Sequence, residues 1–130
     1  MIALDTNVLV RYLVRDDPEQ SSAAAAFIES ELTDETPGFV SLLVLAELSW
    51  VLRRSYGVGA EQVSALVRQL LDVRQLTIEQ AETVARALDL GHAELADALI
   101  REVGRAAGCS RTVTFDQRFA RLDGVERLVG

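Results

Sequence analysis

The chain has 130 residues and a formal charge of −7, from 13 basic against 20 acidic side chains, and that length fits one domain. Every basic residue is an arginine, which excludes chemistry that needs a primary amine: a phosphate-loop lysine, a Schiff base or a pyridoxal attachment. A single cysteine, Cys109, and a single histidine, His92, are too few for a disulfide framework or a Cys/His zinc site, so reactive groups must come mainly from carboxylates.

Ile2-Ala3-Leu4 is a short apolar run that stops at Asp5; Thr6-Asn7 then gives way to Val8-Leu9-Val10, which reads as strand, turn and helix. Asp16-Asp17-Pro18-Glu19 supplies a cap, an early proline and an acid for a second helix through Ala23–Ala26 to about Glu31. After the turn at Pro37-Gly38, Phe39-Val40 predicts a second strand. Ser41 then caps a helix over residues 42–52 that reads as deeply buried and ends near Gly57. Val63, Leu66, Val67, Leu70 and Leu71 mark a helix over 60–72, followed by a third strand near 75–78. Helices near 81–90 and 93–107 follow, the latter stopped by Gly108. Thr112-Val113-Thr114-Phe115 predicts a fourth strand ending at Asp116, and Leu128-Val129 a short edge strand. Short strands alternating with helices predict an α/β/α three-layer domain with a mainly parallel sheet. Ligands in such folds gather where strands end and helices begin, which is where Asp5 and Asp116 fall.

With 49% apolar residues and only 5% aromatic, the core should be built from Leu, Val, Ile and Ala. The opening residues lack the basic segment of a signal peptide, and no apolar run approaches the ~18 residues of a membrane span. A soluble cytoplasmic protein with a reduced Cys109 is therefore expected.

Four acids stand out. Glu47 is the only charged residue in an otherwise apolar stretch, where an ionised carboxylate is costly unless paired or metal-bound; pairing with Arg53 or Arg54 is the ordinary alternative. Asp97 lies in Leu95-Ala96-Asp97-Ala98-Leu99-Ile100, with Arg101 four residues on as an ordinary surface partner worth only ~0.3–0.5 kcal/mol. Asp5 and Asp116 each suit a helix cap. Taken together, four such acids would repel one another at high cost without a cation, which favours a metal site. Oxygen-only donors select hard ions such as Mg²⁺ or Mn²⁺, which also bind phosphate oxygens and activate water. Metal charge and local arginines, with Arg11, Arg15 and Arg118 nearest in sequence, would let an acidic protein meet an anionic substrate.

Ile2-Ala3-Leu4-Asp5-Thr6-Asn7-Val8-Leu9, Leu45-Ala46-Glu47-Leu48, Ala96-Asp97-Ala98-Leu99-Ile100 and Thr112-Val113-Thr114-Phe115-Asp116 together resemble the PIN-domain family, and more narrowly its VapC-type toxins. The resemblance spans essentially the whole chain, residues 1–130, as a single PIN domain. It implies a Mg²⁺- or Mn²⁺-dependent endoribonuclease with Asp5, Glu47, Asp97 and Asp116 as the metal-binding and catalytic acids. It also implies a five-stranded parallel sheet in order 3-2-1-4-5, a homodimer, an RNA substrate and inhibition by a cognate VapB-type antitoxin. Thr114 matches the family's hydroxyl residue two positions before the last acid, on the same strand face as Asp116, where it would orient a carboxylate or water. Thr6 and Asn7 match the first motif and would hold its turn or a water. One departure is Glu94, at a position three residues before Asp97 that often carries Asp; its longer side chain shares a helical face with Asp97. His92 reads as an exposed or capping residue, and Cys109 and Trp50 read as packing residues.

Cleavage by metal-activated water would leave a 3′-hydroxyl and a 5′-phosphate. An aspartyl-nucleophile phosphatase is a second enzymatic reading, but Asn7 stands where that chemistry needs a second Asp, and there is no lysine to bind the phosphoryl group. A noncatalytic PIN-like module that binds protein or RNA is the reading from another class.

Overall fold

The structure, a computed structural model, describes residues 1–129. In chain order the elements are β1 (Ile2–Ala3), α1 (Thr6–Val14), α2 (Pro18–Ala26) with a π turn at Phe27–Glu31, β2 (Gly38–Val40) and α3 (Leu42–Ser55). They continue with α4 (Ala60–Leu71), β3 (Leu76–Ile78), α5 (Ala81–Leu88), α6 (Leu95–Ala106), β4 (Thr112–Thr114), a 3-10 turn (Phe119–Arg121) and β5 (Val125–Arg127).

The helix starts follow the local chemistry anticipated above. Asp17 caps α2 by accepting the Gln20 amide at 3.0 Å, with Pro18 in the first turn. Ser41 accepts the Val44 amide at 3.1 Å, and Glu79 adds a carboxylate that accepts the Leu42 amide at 2.8 Å, so α3 begins with two of its open donors satisfied. Gly108, with φ at +94°, lies just beyond the end of α6, where a side chain would be strained.

All strand pairs are parallel, in agreement with an α/β/α arrangement. The strands form two ladders, β1-β2-β3 with β2 in the centre and β4-β5, which match the two parts of the 3-2-1-4-5 order implied by the resemblance without the join between β1 and β4. Among the described residues no ladder joins β1 to β4. β1 is only two residues long, and the Ile2 and Leu4 amides both point toward β2, donating to Pro37 and Phe39. In a parallel ladder that leaves little more than the Ala3 peptide groups to face the opposite edge. β5 lies at Val125–Arg127, three residues before the predicted Leu128-Val129, because the turn at Gly124 (φ +80°) returns the chain early and buries Val125 beside β4.

The core is aliphatic, as its composition requires: Leu9, Ile28, Val40, Leu45, Leu48 and Leu70 are fully buried. β2 packs tightly at its start, where a Cβ on Gly38 would come within 2.7 Å of the Leu32 side chain. α3 packs against α1, α4 and α6, which makes it the hub of the fold. It is not buried all round. Leu45, Leu48 and Leu52 face inward while Leu43, Glu47, Trp50 and Arg54 face out, so the apolar run splits between core and surface. No helix among the described residues is long and apolar enough to cross a membrane.

Candidate functional site

Asp5 ends the β1 segment and caps α1, its Oδ1 accepting the Thr6 amide at 2.8 Å. The next residue links the first motif to α3: the buried Thr6 hydroxyl donates to Glu47 Oε1 across the α1–α3 contact. Glu47 is exposed but held by that bond, and neither Arg53 nor Arg54 pairs with it. Asp5, Thr6, Asn7 and Glu47 line an open cavity of about 310 Å³ together with Val51, Ser55 and Tyr56. On its other side Asp5 borders a largely apolar hollow of about 550 Å³ between β1, α1 and α2.

Asp97 and Asp116 line a second cavity, of about 400 Å³, with Trp50, Arg53, Arg54 and Glu94. Asp97 occupies the first turn of α6, and Asp116 follows β4. The Asp116 carboxylate accepts the Arg118 and Phe119 amides at 2.8 and 3.0 Å, which fixes the turn into the 3-10 segment. Thr114 acts on the backbone, its hydroxyl oxygen accepting the Asp116 amide at 3.0 Å, so it sets the approach of the chain into Asp116. α3 divides the two cavities: Glu47, Val51 and Ser55 face one, while Ser49, Trp50 and Arg53 face the other.

The electrostatics of the second cavity are uneven. Partial burial, followed by the nearby charges of Asp116 and Glu94, holds the Asp97 carboxyl above the usual carboxylate range. Arg101, its expected partner four residues on, turns inward instead. It donates to the Asp123 carbonyl and to Glu102, both at 2.6 Å. Glu94 is held by Arg53 through a forked contact at 2.7–3.1 Å, and the hydrogen bonds and charge of that guanidinium keep its carboxyl below the usual range. The carboxylate three residues before Asp97 is thus engaged by an arginine.

A metal-ion test follows from these placements. Among the described residues no three of the His, Cys, Asp and Glu side chains stand close enough together to hold one ion. The donors occur as pairs, Asp5 with Glu47 and Asp97 with Asp116. A pair of carboxylates suits Mg²⁺, which keeps several waters and needs only one or two protein carboxylates beside substrate phosphate. The donor chemistry therefore fits such an ion pair by pair, whereas a single four-acid cluster is not formed.

A family model for the PIN domain matches residues 2–125. The chain belongs to the PIN-domain family. PIN domains are typically metal-dependent nucleases, so the family points to a nucleic-acid substrate and a divalent ion. No curated protein matches this PIN chain closely enough to count as a relative.

Sequence reasoning missed two features of the PIN site and the exposure of one residue outside it. Trp50, read as a packing residue, is 51% exposed at the rim of the Asp97 cavity. Its position four residues before Arg54 already put the two on one helical face, and that spacing is the signal that could have found it. Arg53 engages Glu94 across 41 positions, which no local pattern reveals. Cys109 is exposed rather than packed.

Proposed function

We propose that this PIN domain is a toxin endoribonuclease of the VapC type that uses residues 1–130 as one unit. Asp5 with Glu47, and Asp97 with Asp116, would each hold Mg²⁺ or Mn²⁺ as a pair of carboxylates. An ion so held would activate water and offset the charge of the scissile phosphate. The chain's own groups prepare the site. Asp5 and Glu47 are fixed relative to each other through Thr6, Thr114 sets the turn that presents Asp116, and Arg53 engages the Glu94 carboxylate beside Asp97. The observation that carries the reading is Asp97, a partly buried carboxylate facing Asp116 and Glu94 with no arginine paired to it among the described residues. Such unbalanced charge suits a cation site better than a structural ion pair.

The wider reading is a cytoplasmic homodimer silenced by a VapB-type antitoxin, and the apolar hollow beside Asp5 supports a partner segment that covers that edge of the site. Mapping RNA ends after brief expression of the wild type beside Asp5→Asn tests the proposal. New 5′-phosphate ends that are specific to the wild type are expected, and identical end profiles would refute it. The noncatalytic module draws on the placement of the four acids in two cavities. Metal-dependent cleavage by the purified wild type, lost in Asp97→Asn, decides against that module.

A further inference from the structure

The outward face of α3 carries a feature that the acids do not explain. Trp50 is the only tryptophan in the chain, and half of its surface is open to solvent. A tryptophan with no role outside the core normally buries its large apolar area. One ring face is covered by the Arg54 guanidinium, 4.3 Å from the ring centroid. That contact, four residues along the helix, limits the rotamers of the indole and adds a cation–π attraction. Among the described residues Arg54 makes no ion pair, so its charge is available to an external anion. Trp50, Arg53 and Arg54 line the same cavity as Asp97 and Asp116, and Arg118 borders the neighbouring hollow, of about 290 Å³, that also reaches Asp97. In a protein of charge −7, arginines beside a fixed aromatic plane at the rim of an acidic cavity form a local exception.

We infer that Trp50 is the stacking platform for one nucleobase of a single-stranded RNA, with Arg54 backing the ring and contacting an adjacent phosphate, so that the neighbouring phosphodiester lies over Asp97 and Asp116. The inference rests on the nuclease reading and adds to it a residue that places the substrate. Stacking accepts any base, so Trp50 contributes affinity and register rather than sequence choice. Bases in a duplex are already stacked on their neighbours, so single-stranded RNA is the form that fits.

The lone tryptophan makes the test direct. An end-labelled single-stranded RNA is titrated with Mg²⁺ into the full chain carrying Asp5→Asn, a change in the other cavity that stops turnover during the measurement. Label anisotropy and tryptophan emission are followed together, and cleavage by the wild type is measured alongside. Trp50 emission is expected to quench with the same midpoint as the anisotropy change. Trp50→Ala is expected to weaken binding about 5- to 150-fold, the range for loss of one base–aromatic stack. Trp50→Phe should retain most of the affinity, and the same RNA in duplex form should not quench. RNA binding without quenching, or undiminished affinity in folded Trp50→Ala, overturns the inference and leaves the nuclease reading intact. An altered oligomeric mass in Trp50→Ala with unchanged RNA affinity overturns it in favour of a protein contact. Absence of both RNA binding and wild-type cleavage overturns the inference and the nuclease reading together.

Discussion

Replacing Arg101 by methionine perturbs the one basic side chain that is buried among the described residues. Arg101 and Glu102 are 9% and 5% exposed at their side chains, with Nη1 to Oε2 at 2.6 Å. Removing one partner of a buried ion pair costs ~3–5 kcal/mol, because the other charge stays behind in a poor solvent. Here Glu102 keeps two distant cations, Arg86 at 3.8 Å and Arg105 at 3.7 Å, both more than half exposed. The expected loss is therefore lower, about 2–3 kcal/mol, or roughly 8–12 °C in Tm for a chain of this size. The same change removes the 2.6 Å bond from Arg101 Nε to the Asp123 carbonyl, just before β5. Since the β4-β5 ladder shares no backbone bonds with β1, hydrogen exchange in both of its strands should accelerate. Urea unfolding followed by far-ultraviolet circular dichroism gives the stability, and the double variant Arg101→Met/Glu102→Leu should recover most of it. A single variant within about 0.5 kcal/mol of wild type, or a double variant no better than the single, would refute the reasoning.

Three further outcomes follow. Asp97 is an acid whose folded pKa is raised, so its charge lowers stability at neutral pH and the loss is relieved as pH falls through that raised value; Asp97→Asn should therefore abolish cleavage yet raise the Tm of the metal-free protein at pH 7, and a lowered Tm would contradict this. Glu94 has the opposite sign: its pairing with Arg53 stabilises above the ordinary carboxylate range and fades as pH falls through the depressed folded value. Glu94→Gln should accordingly lower Tm slightly at pH 7 and match wild type in strong acid, and a gap that persists in acid would argue against the assigned cause. Thr6→Val removes the donor that holds Glu47; water can replace it at the exposed carboxylate, so the stability cost should stay below about 1.5 kcal/mol while kcat falls. Combining it with Glu47→Gln should add little further loss, and fully additive losses in kcat would show that the two residues act independently.

Much of this architecture is legible locally. The Asp17-Pro18 and Ser41 starts, the Gly108 stop and the first four strands depend on chemistry within a few positions, and the structure realises each close to where the pattern places it. What escapes the sequence is long-range choice. Arg101 had an obvious partner in Asp97 one turn away, yet the inward face of α6 and the Asp123 carbonyl took it instead. The apolar run around Glu47 suggested a deeply buried helix, because periodicity cannot say which of Leu43, Leu45, Leu48 and Trp50 meets a neighbour. The register of the last strand depended on a turn at Gly124 rather than on the more apolar Leu128-Val129 pair. The four acids and Thr114 could be picked out as candidates from their motifs. Their grouping into two pairs on either side of α3, and the engagement of Glu94 by Arg53, required coordinates.

The central claim concerns what the carboxylates hold, and Mn²⁺ binding by the purified, RNA-free protein measures it most directly. Calorimetric titration of wild type should show saturable binding, with affinity reduced at least about 10-fold in Asp97→Asn and in Asp5→Asn, the scale expected when a charged ligand is lost. Undiminished Mn²⁺ affinity in both variants would place the ion elsewhere and contradict the account.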